Sequence, residues 1–337
     1  MSVRDVLIVG AGPSGLAAAI AAKQQGLDYV VVEKGILVNS IFNFPMHMVF
    51  FTTPELLEIG GLPLVTPYDK PTRLESLRYY RRVVDTYGLS ISFHEAVVDI
   101  EREDDVFVVT TESTSSSGAP QRRVRQARAV VLAIGYYDIP NRLGVPGEDL
   151  PHVSHYYTDA HPYYRQRVVV VGGKNSAAEA SLELFRGGAQ VTMVHRHATL
   201  GESIKYWVRP DIENRIKEGS IAARFEARVV EIRPNEVIIE RHGERETLPA
   251  EGVFLLTGYH PDVELMRRAG IQCDPDTLAP ALDKDTLETN VPNLFVAGGA
   301  IAGRHTGNIF IENGRFHGER IIKLLAERLR DEVSSNR

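Results

Sequence analysis

Val6-Leu7-Ile8-Val9 runs into Gly10-Ala11-Gly12-Pro13-Ser14-Gly15, and Tyr29-Val30-Val31-Val32-Glu33 follows a helix-forming stretch. Those residue types at that spacing bind a dinucleotide. Gly10 and Gly12 make a tight turn and bring backbone near a pyrophosphate, and Gly15 lets the helix pack on the strand. The helix start offers its free amides to phosphate, and Glu33 accepts hydrogen bonds from an unphosphorylated ribose. The unit recurs as Val168-Val169-Val170-Val171, Gly172-Gly173-Lys174-Asn175-Ser176-Ala177 and Val191-Thr192-Met193-Val194-His195-Arg196. The spacing from Gly10 to Glu33 equals that from Gly172 to His195, yet the ribose position is acidic in one and basic in the other. A basic pair attracts a 2′-phosphate. The first unit is therefore expected to hold FAD and the second NADPH, with Lys174, Asn175 and Ser176 at the second pyrophosphate. Lys205 is expected to join Arg196 at the 2′-phosphate. Two nucleotide sites in one chain imply electrons passing from one cofactor to the other.

The bulk properties restrict other readings. With 337 residues the chain is long enough for two domains, and 43% hydrophobic with 24% charged residues is ordinary for a globular protein. A net charge of −6 gives no general attraction for nucleic acid or anionic membrane. No apolar run approaches the roughly 20 residues that span a bilayer, and Val6 already lies in a strand, so a cytoplasmic location is expected. The single cysteine, Cys273, excludes an intrachain disulfide. His47 and His305 lack ligand spacing, so no metal site is expected. His152, His155 and His161 read as surface residues.

The elements that must position these groups follow from pattern. Residues 4–33 form a strand–helix–strand start. Residues 39–75 are irregular and rich in Pro and Phe, as in a cover over a site. A helix is expected at about 73–87. Strands at 91–112 and 121–134 should form an antiparallel meander joined by a solvated loop, Ser113 to Pro120. The meander ends in Val130-Val131-Leu132-Ala133-Ile134-Gly135 and returns to the first cofactor. Lys34, Val98, Ala133, Gly135, Gly299 and Ile309 complete its expected lining. The last helix should begin near Ile309 and run to about Leu329. The fold class is α/β with two Rossmann-like dinucleotide-binding domains. Residues 151–259 form the NADPH domain, inserted into an FAD domain built from 1–150 and 260–337.

Over essentially its whole length the chain resembles the low-molecular-weight thioredoxin reductase group, and within it the bacillithiol disulfide reductase family. The likeness is carried by Asn39 to Pro45, Phe50 to Gly60, Gly172 to Ala177, Ser203-Ile204-Lys205-Tyr206-Trp207 and Gly303 to Arg315. It implies hydride transfer from NADPH to FAD and on to a low-molecular-weight disulfide, bacillithiol disulfide, by a homodimer or homotetramer. A ferredoxin or flavodoxin–NADP reductase passing electrons to a small carrier protein is the alternative, with a flavin monooxygenase behind it. Four departures matter. The V-S-x-C-A-T-C-D dithiol of a thioredoxin reductase is replaced by Val153-Ser154-His155-Tyr156-Tyr157-Thr158-Asp159-Ala160. Ser14 stands where relatives often carry a cysteine proposed as redox thiol; its expected role is to help begin the helix and meet cofactor phosphate. Lys174 replaces the second glycine. Gly299 replaces an aspartate that contacts the ribityl chain.

Overall fold

The computed structural model describes residues 2–114 and 120–335. The chain divides into two compact units. One comprises Met1–Phe42, Met48–Ile139 and Tyr259–Arg337; the other comprises Asn43–His47 and Pro140–Gly258.

The first unit opens with strand β1 (Arg4–Val9), helix α1 (Pro13–Gln24) and strand β2 (Tyr29–Val32). β2 is buried along its whole length, because a parallel sheet covered on both faces selects continuous apolar runs. The parallel part has the order Ile91–Ser92, β2, β1, Pro120–Leu132, and Leu294–Val296 pairs parallel with the last of these. Strand Pro120–Leu132 serves two partners: its end runs parallel to β1, while its beginning pairs antiparallel with Val106–Thr114.

α1 is buried from Gly15 to Ala22 and so carries no polar face. The final helix, Ile311–Ser335, explains why. A Cβ on its Gly318 would lie 2.4 Å from the Ala18 nitrogen, so the two helices meet backbone to backbone. Leu16 is fully buried and Ile20 is 2% exposed, each side chain stabilising the fold by about 1.5–3 kcal/mol.

Three expected boundaries change. The strand expected over 91–112 is three strands, Ile91–Ser92, Glu95–Glu103 and Val106–Thr114. Left-handed turns at His94 and Asp104 break it. The middle of the expected loop, residues 115–119, lies outside the described residues; Ser113 and Pro120 belong to paired strands. The final helix starts at Ile311 and runs past Leu329 to Ser335. Helix Arg73–Tyr87 forms where expected, with a capping box between Thr72 and Glu75 and a left-handed Gly88 at its end.

The second unit holds a five-stranded parallel sheet in the order Ala222–Phe225, Gln190–His195, Arg167–Val171, Gly252–Leu255, Val153–Ser154. Helix Asn175–Arg186 follows the central strand, and Ala227–Arg233, Glu236–Arg241 and Glu244–Pro249 add an antiparallel sheet. The unit begins at Pro140 because Asn141 donates to the Gly258 carbonyl at 2.9 Å, and Ile232 donates to Pro146 at 2.8 Å. The Met46 N–H likewise donates to Thr158 at 2.8 Å, tying the short Asn43–His47 segment to this unit. Both units are Rossmann-like, each with a glycine turn between a parallel strand and the helix that follows it. Among the described residues no helix is long and apolar enough to cross a membrane, and no cluster of His, Cys, Asp or Glu could hold a metal ion.

Candidate cofactor sites

The three glycines after β1 do different work. Gly10 has φ +106°, and a Cβ there would lie 2.4 Å from the Ala133 carbonyl. A Cβ on Gly15 would lie 1.9 Å from the Gly10 carbonyl. Both are therefore packing requirements. At Gly12 a Cβ would meet nothing within 4 Å. Gly12 is the N-cap of α1, has no side-chain cap, and leaves the helix amides open to a ligand. Pro13, which has no amide to offer, opens the helix at no cost to that array.

Glu33 is 6% exposed at the end of β2. Its Oε2 accepts from the Ala11 N–H and its Oε1 from the Gly35 N–H, each at 2.8 Å. Burial raises its pKa, and the two backbone bonds oppose that rise. Each oxygen keeps a further acceptor position, as a ribose diol requires. Ala133 is buried, with its N–H bonded to Val9, and Gly135 takes φ +62° with open space beyond its Cα. Val98 sits at the bulge between Val97 and Asp99. Lys34 is half-exposed and pairs with Asp138 at 2.9 Å. The open cradle, the buried carboxylate and the free helix amides together fit a dinucleotide with an unphosphorylated ribose.

On the other side of this cradle lies Ser14, in the first turn of α1. Its hydroxyl proton does not go to α1 itself. The hydroxyl donates instead to the Gly314 carbonyl of the final helix at 3.1 Å, and a Cβ on Gly298 would lie 2.5 Å from it. Ser14 thus joins three segments. Gly299 has a physical reason for lacking the aspartate: a Cβ there would strike the Tyr136 ring at 2.7 Å. The methyl of Ile309 lies 3.4 Å from the position of a Cβ on Gly314. His305 is exposed and Thr306 half-buried, in turns that precede the helix. His317 escaped the sequence reading. It is buried, and its Nδ1 accepts the Gly298 N–H at 3.1 Å. The available signal was its place one turn after Gly314, on the side of the helix that α1 covers.

The second cradle places the two members of the expected basic pair differently. Gly172 comes so close to the neighbouring strand that a Cβ would lie 2.6 Å from the Leu256 carbonyl. The His195 ring lies on Gly173, where a Cβ would be 2.3 Å from it. Burial, then His197 and Arg196, push the His195 imidazole below its ordinary value. His195 thus forms a wall of the cradle. The exposed Arg196 instead contacts His197, its Nε donating to His197 Nε2 at 3.2 Å. His197 was missed, although it stands next to Arg196 in the sequence. Lys174 is the exposed N-cap of helix Asn175–Arg186, and Ser176 is exposed beside it. The Asn175 amide is engaged with its own protein: it donates to the Ser203 carbonyl and accepts from the Lys205 N–H, both at 2.9 Å. That pins Lys205 near the helix start, where its charge acts on Glu179. A glycine pair, an open helix start and a basic loop at the ribose position fit a pyridine nucleotide.

One side reading changes as well. His155 is not a surface residue: its side chain is 12% exposed, and Nε2 lies 3.3 Å from Glu148. Burial lowers its pKa despite that carboxylate. Cys273 packs partly against the core, and burial raises its thiol pKa, which suits no thiolate chemistry.

A family described as pyridine nucleotide-disulphide oxidoreductase matches residues 7–298. The chain is 43% identical over 331 residues to bacilliredoxin reductase Bdr of Bacillus subtilis (strain 168), covering 97% of this chain and 99% of that protein. Bacillithiol disulfide reductase Bdr from Bacillus cereus superposes with a TM-score of 0.93 at 41% identity, over 97% of this chain and 100% of that one. The chain belongs to the bacillithiol disulfide reductase family of pyridine nucleotide-disulphide oxidoreductases. Another member, from Staphylococcus aureus, superposes with a TM-score of 0.90 at 39% identity, over 97% of this chain and 99% of that one. This family member is an oxidoreductase that uses a flavin and a pyridine nucleotide.

Proposed function

We propose that the protein is an NADPH-dependent FAD oxidoreductase that reduces bacillithiol disulfide. The observation that carries the cofactor assignment is the contrast where the second strand of each cradle ends: buried Glu33 in the first, His195 followed by exposed Arg196 and His197 in the second. On this reading the first unit is the FAD domain and the second the NADPH domain. Bound flavin would supply hydride acceptance from nicotinamide and onward transfer. The protein's residues do the rest. Glu33 holds the ribose hydroxyls, Gly12 leaves the α1 amides free for pyrophosphate, and Arg196 reads the 2′-phosphate. The Gly298–Ala302 turn closes the cradle from the far side. Ser14 cannot form a mixed disulfide, and neither Tyr156 nor Asp159 can replace the missing dithiol. Electrons therefore leave directly to the acceptor's S–S bond, which takes two electrons and two protons to become two thiols.

The substrate follows from the names of the most similar relatives, which act on bacilliredoxin and bacillithiol disulfide. Anaerobic NADPH oxidation should be followed with bacillithiol disulfide, ferredoxin, flavodoxin and oxygen as separate acceptors. Turnover with bacillithiol disulfide well above the others is expected. Turnover confined to ferredoxin or flavodoxin would replace the small disulfide with a carrier protein.

A further inference from the structure

We propose that His317 is a positioning residue, holding the Gly298–Gly299 turn in its cofactor-binding shape by accepting the Gly298 N–H at Nδ1. The inference rests on reading the first unit as the FAD site.

Three segments converge on Gly298. It takes φ +70°, its Cα faces the Ser14 hydroxyl, and that hydroxyl bonds to Gly314 of the final helix. The next residue, Gly299, lies against the Tyr136 ring, which directly follows Gly135 of the cradle. A shift of the turn therefore reaches the cofactor lining. Among the described residues, one side chain bonds the Gly298 amide, that of His317 at 3.1 Å, 8% exposed. A backbone N–H can only donate, so Nδ1 must lack a proton and Nε2 must carry it. An imidazolium would place a proton where the turn needs an acceptor.

The surroundings favour the unprotonated ring. Burial and then the Arg320 charge lower the His317 pKa. α1, which meets the helix of His317 at Gly318, is apolar from Gly15 to Ala22, with Lys23 its sole titratable residue, in the last turn. The turn Gly298–Ala302 carries no titratable group. On the same helix lie Glu312, Arg315, Glu319 and Arg320.

The test compares wild type, His317→Asn and His317→Leu. Asparagine Oδ1 falls near the place of Nδ1 and does not titrate; leucine offers no acceptor. FAD affinity of each apoprotein is measured by flavin fluorescence across the imidazole range, with NADPH affinity as control. Wild-type FAD affinity should be flat at neutral pH and weaken on acidification below the ordinary imidazole value of 6.5. The asparagine variant should keep the neutral affinity and lose the acid dependence. The leucine variant should bind FAD roughly tenfold more weakly than wild type at neutral pH, as one lost buried hydrogen bond implies, and show no acid limb of its own. NADPH affinity should be the same in all three. Wild-type FAD affinity in the leucine variant, or an unchanged acid limb in the asparagine variant, overturns the proposal. If the leucine protein does not fold, the asparagine pH profile decides alone. A wild type that binds no FAD at all instead defeats the site reading beneath it.

Discussion

Gly12→Val separates binding from folding at the first cradle. Gly12 has φ −78° and ψ 176°, an extended backbone that any residue adopts, and an added Cβ meets nothing within 4 Å. The apoprotein should lose only the helix-cap preference of glycine over valine, about 1 kcal/mol, which lowers the melting temperature of a unit this size by about 2–4 °C. The isopropyl group nevertheless fills the space in front of the α1 amides. Losing two charge-assisted bonds to phosphate, at about 1.5–3 kcal/mol each, weakens flavin binding about a hundredfold or more. The purified variant should be colourless, folded and close to wild type in thermal stability. Gly15→Ala is the contrast: its Cβ would lie 1.9 Å from the Gly10 carbonyl, so the strand–helix turn must open and stability must collapse. A yellow Gly12→Val protein with a normal flavin spectrum would refute the assignment. So would a Gly12→Val apoprotein as unstable as Gly15→Ala, because Gly12 would then be a packing residue too.

Arg196→Ala should lower kcat/KM for NADPH about ten- to a hundredfold, the worth of one charged hydrogen-bonded contact, and leave NADH use unchanged; equal losses with both nucleotides would show that Arg196 does not read the phosphate. Ser14→Ala removes one bond to Gly314 and should cost about 1 kcal/mol while NADPH-to-flavin reduction persists. If only Ser14→Cys, and not wild type, reduces bacillithiol disulfide in steady-state assays, the native acceptor lies elsewhere. Glu95 gives a pH prediction. Burial alone would raise its carboxyl, but the Arg125 guanidinium at 2.7 Å, with the Ser92 and Thr111 hydroxyls, holds it at about 2 against an ordinary 4.5. A depressed carboxyl contributes stability that is fully present above the unfolded value and is lost as pH falls through the folded one. The window is therefore about pH 4.5 down to 2, and the contribution at most about 3 kcal/mol. Denaturant melts of Glu95→Gln should show a flattened acid limb in that window; an unchanged limb would remove Glu95 as its source.

Local chemistry was legible in the sequence where it depends on neighbours in the chain. The strand–glycine–helix–strand order of both units, the capped helix at 73–87 and the absence of a dithiol are all short-range facts. Turn geometry, caps and parallel-strand burial dictate them within a few residues. Contacts between distant segments were not legible. Ser14 reads as a helix starter, and only the packing of α1 on the final helix turns its hydroxyl to Gly314. His195 reads as half of a basic pair, and only the fold lays its ring on Gly173 while Arg196 and His197 stay exposed. His155 reads as surface until Glu148 is found beside it. Gly299 reads as a lost ligand until the Tyr136 ring is found in the space its side chain would need. His317 carries no motif at all; its role exists because the fold brings the Gly298 amide, which can only donate, to a buried ring that can accept. Residue type and spacing decide what a side chain can do, but burial and partners decide its charge and orientation, and these are set by segments far apart in the chain.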